Sequence, residues 1–223
     1  MVFIQKHQLH MLKVKTFVFN AFQVNTYVVY AENKDCIIID PACSNANEVS
    51  KLLNYLKTEN LNAILVANTH AHVDHILGNE DITAKLAIKL AAHPASRYFY
   101  LNAMSFSSAL GLNLQKVIMP DVELQDKDTV KLGESELEIL YTPGHADGSI
   151  CFYNSEGQFL ISGDLIFYAS IGRTDFPTGN FEILSESIKG KIYTLPNDTI
   201  IYPGHGPSTT VGFEKYNNPF VTL

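Results

Sequence analysis

Apolar residues are spaced in more than one rhythm along this chain. Thr16 to Asn20, Asn25 to Tyr30 and Cys36 to Asp40 alternate or run with β-branched and aromatic side chains. The turn composition Ala31-Glu32-Asn33-Lys34-Asp35 separates the last two, so these segments predict an antiparallel start to a sheet. From Asn47 to Asn60 the rhythm changes: Val49, Leu52, Leu53 and Leu56 recur at helical spacing. A strand Ala63 to Val66 then leads towards His70, Asn79 to Leu86 predicts a short helix, and Ala87 to Ala92 a strand closing at His93-Pro94. Ala95 to Leu114, rich in aromatic and small residues, is read as partly helical and as a lining for a substrate entrance. Beyond Thr129 short strands recur between turns at Gly133, Pro143-Gly144, Asn154 to Gly157 and Pro203-Gly204, interrupted by a helix from Asn180 to Lys189. The mixture predicts an α/β protein of two packed sheets flanked by helices, one domain over residues 1–223 with residues 1–10 as a loose tail.

Four of the strand patterns share an ending. An apolar run stops at a turn and presents histidine or aspartate: Ala63 to Val66 before Thr69-His70-Ala71-His72-Val73-Asp74-His75, Leu137 to Tyr141 before Pro143-Gly144-His145, Phe159 to Ser162 before Gly163-Asp164, and Thr199 to Tyr202 before Pro203-Gly204-His205. Strand ends hold polar groups on a rigid scaffold, so the repetition predicts one shared site. A lone histidine is most often a surface or hydrogen-bonded core residue, and His7, His10 and His93 are read that way. Three imidazoles and a carboxylate within the six residues His70 to His75 are different. Imidazole and carboxylate without thiolate suit zinc, iron or manganese rather than a purely structural thiolate zinc site.

Composition narrows the setting. With 46% hydrophobic residues the 223-residue chain can bury a substantial core, and no stretch approaches the roughly 18–20 apolar residues of a membrane span. The start lacks the apolar core and cleavage site of a secretion signal. Cys36, Cys43 and Cys151 form no disulfide framework, which predicts a cytoplasmic location and core or surface roles for the thiols. A net charge of −7 without a basic cluster argues against nucleic acid as a partner. Oligomeric state is not legible in the sequence.

The motifs Thr69 to His75, Thr142-Pro143-Gly144-His145, Gly163-Asp164 and Pro203-Gly204-His205-Gly206-Pro207, in this order, resemble those of the metallo-β-lactamase-fold hydrolases. Gly172 to Pro177, Gly204 to Thr210, Glu214 and Asn218-Pro219-Phe220 are similar to the compact glyoxalase-II-like branch. The resemblance implies a four-layer αββα sandwich with a metal site at one edge of the two sheets. It implies His70, His72 and His145 on a first divalent metal, Asp74, His75 and His205 on a second, and Asp164 bridging both. A carboxylate has two oxygens where a neutral imidazole has one free lone pair, which suits Asp164 to that bridge.

The implied activity is hydrolysis of a small acyl thioester by hydroxide that two divalent metals generate, with zinc first in order and iron or manganese as alternatives. Asp74 doubles as the catalytic proton acceptor. Arg173 and Lys215 are the candidates for binding a substrate carboxylate, Arg173 being read first as an ion pair with Asp175. Two departures stand out. Longer glyoxalase-II enzymes carry a C-terminal helical extension that grips glutathione, whereas this chain ends at Leu223, and Ala146 stands where many relatives have threonine. The alternative within the superfamily is a mononuclear-iron persulfide dioxygenase, which shares Gly172-Arg173-Thr174-Asp175-Phe176 and His145-Ala146-Asp147-Gly148. A phosphodiesterase or ribonuclease is third, for want of a basic surface.

Overall fold

The computed structural model describes residues 11–223, so the tail expected over residues 1–10, with His7 and His10, lies outside the described residues. A first sheet runs in the order β1 (Lys13–Phe19), β2 (Val24–Tyr30), β3 (Asp35–Ile39), β4 (Asn62–Ala67), β5 (Leu90–Ala92) and β6 (Val122–Glu123). Its first three strands are antiparallel, and from β3 to β6 neighbours are parallel. The second sheet comprises β7 (Thr129–Leu132), β8 (Ser135–Tyr141), β9 (Ile150–Asn154), β10 (Phe159–Gly163), β13 (Ile200–Pro203) and β14 (Thr209–Thr210), consecutive in space as named. A small hairpin, β11 (Ile166–Phe167) with β12 (Ser170–Ile171), stands apart from both.

The layering follows from which side chains alternate where. On β2, β3 and β4, Val28, Ile38 and Val66 face one way, and Val29, Ile37, Ile39 and Ala67 the other. The first set packs against Val49, Leu52 and Leu56 of α1 (Ala46–Thr58), Ile82 of α3 (Asn79–Leu86), and Phe99, Tyr100 and Ala103 of α4 (Arg97–Ala109). The second set meets Leu137, Ile139, Phe152 and Ile161 of the other sheet. That sheet's far face, with Cys151, Leu160 and Ile201, is covered by Leu184 of α5 (Phe181–Ser187), Ile188, Ile192 and Val211 of α6 (Val211–Asn217). Strands buried on both faces read as continuous apolar runs, as Cys36 to Ile39 do. The order is helices, sheet, sheet, helices, as expected.

Element boundaries shift for local reasons. Asn45 caps α1 by accepting from the Asn47 and Glu48 amides at 3.0 and 3.1 Å. β5 begins three residues later than expected because Ala87, at φ 55°, is the left-handed cap of α3. The helix expected over Asn180 to Lys189 ends as α-helix at Ser187 and continues as a π turn, Ile188–Ile192. No helix among the described residues is long and apolar enough to cross a membrane.

β8, β10 and β13 point the same way, and so do β3 and β4. Their C-terminal ends meet at one edge of the sandwich, where the sheets are tied directly. Asn25 N–H donates to Gly204 O at 2.7 Å, the Tyr27 hydroxyl to Pro203 O at 2.6 Å, and Ile150 N–H to Thr69 O at 2.8 Å. C-terminal strand ends are where open α/β sheets present their ligand sites.

Candidate metal centre

Each candidate ligand leaves the fold within a few residues of a strand end on that edge. His70, His72 and the short helix α2 (Val73–Ile76), which carries Asp74 and His75, follow β4; His145 follows β8, Asp164 immediately follows β10, and His205 stands two residues beyond β13. All seven converge. Ligand atoms of His70, His72 and His145 lie within 4.8 Å of one another, and so do those of Asp74, His75 and His205. The Asp164 carboxylate stands between the two groups, with Oδ1 3.4 Å from His75 Nε2 and Oδ2 3.6 Å from His145 Nε2 and 3.5 Å from His205 Nε2. Backbone shape makes room for it. A Cβ on Gly204 would stand on Asp164 Oδ1, and one on Gly144, at φ 126°, would collide with the Leu184 backbone, which fixes the turn before His145.

Hydrogen-bond partners show which ring nitrogen each histidine turns inward. His75 Nδ1 lies 3.0 Å from Asp40 Oδ2, His145 Nδ1 2.7 Å from Arg173 O, and His205 Nδ1 2.9 Å from Phe22 O. Carboxylate and carbonyl oxygens only accept, so in each ring Nδ1 carries a proton and Nε2 is the nitrogen turned inward. His70 is held through a relay: the Thr69 hydroxyl donates to Asp40 Oδ2 at 2.7 Å and therefore accepts from His70 Nδ1 at 3.0 Å. His72 is turned the other way, its Nδ1 2.9 Å from His145 Nε2.

This arrangement fits cations. Nε2 atoms of His75 and His205 stand 3.3 Å apart, and two nitrogens bound to one tetrahedral zinc at about 2.0–2.1 Å are themselves about 3.3 Å apart. His70 Nε2 and Asp164 Oδ1 are buried without a hydrogen-bond partner, a costly state for polar atoms unless something binds them. Charge points the same way. Burial depresses His75 and His205, but Asp164 and Asp74 outweigh it, holding His75 well above its usual range and His205 at about 9. The carboxylates thus draw positive charge into this half of the site. Burial and neighbouring imidazoles push His70 down, and His72 to about 3, keeping both neutral as ligands must be. Asp164, despite burial, is held well below the usual carboxylate range by His75 and His205.

His72, Asp74, His145, Asp164 and His205 form the floor of a cavity of about 570 Å³, with His70 and His75 buried beneath. Phe99, Phe106, Ala109 and Leu110, from the segment expected to line a substrate entrance, form part of its wall. Arg173 also reaches the cavity, but its guanidinium is committed in a bidentate pair to Asp175 at 2.8 and 2.7 Å and stacks 3.7 Å above the Phe176 ring. Lys215 corrects the expectation of a substrate contact. It does not line the cavity, and its Nζ donates to Tyr193 O at 3.0 Å, joining α6 to the end of the π turn. Ala146 is fully buried in the core, and His93 stacks on Tyr141 away from the cluster.

Asp40 is the site residue that motif reading missed. It is 1% exposed, takes Thr69 N–H at 2.8 Å as well as the Thr69 hydroxyl and His75, and so steers one histidine of each ligand group. Its signal was present: Cys36 to Ile39 is a fifth apolar run ending on aspartate.

The sequence profile of the metallo-beta-lactamase superfamily matches residues 19–205. The chain is similar to hydroxyacylglutathione hydrolase GloC of Haemophilus influenzae, 32% identical over 203 residues that cover 90% of this chain and 94% of that one. Two solved structures superpose on it with a TM-score of 0.84 and 33% identity. They are the BLEG-1 B3 metallo-beta-lactamase, covering 94% of this chain and 99% of its own, and TTHA1623 in a di-iron-bound form, covering 93% and 100%. A profile matching most of the chain, the shared sandwich and the His/Asp cluster at its edge together place the chain in the metallo-beta-lactamase superfamily.

Proposed function

We propose that this protein is a dinuclear metal-dependent hydrolase of acyl thioesters. The observation that carries the proposal is the pair of three-residue groups at the base of one cavity, with Asp164 directing an oxygen at each. His70, His72 and His145 would hold one divalent cation, Asp74, His75 and His205 the other, and Asp164 both. Bound there, two such cations supply an acidified water at neutral pH and a Lewis acid for the substrate carbonyl. Asp74, 14% exposed on the cavity floor, faces His205 Nε2 through Oδ2 at 3.5 Å and is placed to accept the proton of the attacking water. A thiolate leaves readily because its conjugate thiol has a pKa near 8.5, so no dedicated general acid is required. The similarity to GloC supports the thioester class, and the di-iron relative supports iron beside zinc and manganese. One domain spanning the chain and a reducing cytoplasm complete the reading, the latter supported by three buried free cysteines.

The competing reading is a mononuclear-iron persulfide dioxygenase, which the motifs Gly172 to Phe176 and His145 to Gly148 also fit. The tail Gly206-Pro207-Ser208-Thr209-Thr210 after His205 favours the hydrolase. The test is metal analysis beside turnover. Protein stripped by chelation and reloaded separately with zinc, iron and manganese should bind two metals per chain and release free thiol from at least one member of a thioester panel. One iron per chain, with oxygen uptake on glutathione persulfide and no thioester cleavage, would select the dioxygenase.

A further inference from the structure

Above its polar floor the cavity is almost wholly apolar. Phe99, Phe106, Leu110, Phe167, Ile171 and Phe176 form most of its walls. Away from the floor, Ser170 and Arg173 are the polar residues that line it, and Arg173 already holds Asp175. Phe22, Leu110 and Phe176 line the cavity yet remain 41%, 46% and 37% exposed. Rings and leucines left wet around a concave site of this volume are the ordinary lining of a small-molecule pocket whose ligand is itself apolar.

We infer that the site selects thioesters whose acyl group is a medium-length aliphatic or aromatic chain, and that the acyl chain rather than the thiol supplies the binding. The inference rests on the thioester reading for the bond that is cut and on the cavity walls for the group that is bound. Glutathione brings two carboxylates and an ammonium, and these walls offer one hydroxyl and a guanidinium already paired. Charges laid against phenylalanine rings lose water without gaining a partner. An acyl chain loses only unfavourable hydration there, and since the thiols that carry acyl groups in cells are polar, the apolar part of such a thioester lies on its acyl side.

The test holds the thiol constant. With the metal-loaded full chain, N-acetylcysteamine thioesters from acetyl to octanoyl should show kcat/KM rising about three- to fourfold per methylene until the cavity is filled. S-lactoylglutathione should fall at the weak end. Calorimetric titration with non-hydrolysable S-ethyl and S-octyl thioethers of the same thiol should show the same order in affinity, and Leu110→Gln should flatten both series. Turnover without chain-length dependence would overturn the acyl-chain inference and leave the thioester reading standing. Tight, length-dependent thioether binding with no thioester turnover would do the reverse, and neither binding nor turnover would sink both.

Discussion

Replacing Asp40 by asparagine removes a charge that touches no substrate yet reaches both ligand groups. Its carboxylate accepts from Thr69 N–H, the Thr69 hydroxyl and His75 Nδ1–H, all at or within 3.0 Å. Asparagine keeps one oxygen and puts an NH₂ donor where the other stood. Placed at Oδ2, that donor faces two donors, and the Thr69 hydroxyl turns to find another acceptor and releases His70 Nδ1. Losing one or two hydrogen bonds to a charged group costs roughly 2–5 kcal/mol. For a domain of this size that is a fall of roughly 5–15 °C in melting temperature, within what a folded domain tolerates. Misorienting one histidine in each group should also weaken metal binding by about 10- to 100-fold. Calorimetric melts of metal-free protein and chelator-competition titrations of metal affinity read the two effects separately. The exposed Asp175→Asn, which breaks only the pair with Arg173, should leave metal affinity unchanged. A folded Asp40→Asn protein with wild-type metal affinity would refute the relay.

Three further outcomes are expected. Asp164→Ala should lower metal occupancy and thioester hydrolysis together while the protein stays folded, since the three apolar clusters do not include it; unchanged occupancy would remove the bridge. Burial pushes the Cys36, Cys43 and Cys151 thiols up to about 12 from the usual 9, so native protein should not react with a thiol reagent at pH 8, whereas unfolded protein should show three reactive thiols. Because these thiols are raised on folding, their contribution is complete below pH 9 and lost as pH climbs towards 12, and melting temperature should decline across that window.

The fold was legible where one periodicity held over a whole element. Val49, Leu52 and Leu56 announce α1, and the doubly buried strand β3 announces a central layer, because burial on both faces demands an unbroken apolar run such as Cys36 to Ile39. Legibility failed at ends. Nothing in Ala87-Ile88-Lys89 separates a left-handed helix cap from the first residues of a strand, and the π turn at Ile188–Ile192 keeps the same apolar positions a continued α-helix would need. Lys215 was misplaced for a related reason: a lysine near a motif says nothing of which way its helix faces, and packing of α6 through Val211 and Glu214 turns it to Tyr193.

The candidate ligand set was legible because metal chemistry restricts residue type, so His70 to His75, His145, Asp164 and His205 stand out wherever they fall. The orientation of His205 and His145 was not, because it is set by atoms common to every residue. Phe22 and Arg173 fix the tautomers of His205 and His145 through backbone carbonyls, and the side chains written at those positions have no part in it. Both carbonyls belong to residues that also line the cavity. A substitution at either position can therefore reshape the substrate wall while the backbone acceptor behind the ligand stays in place. Specificity is free to drift there without disturbing the residues that would hold a metal.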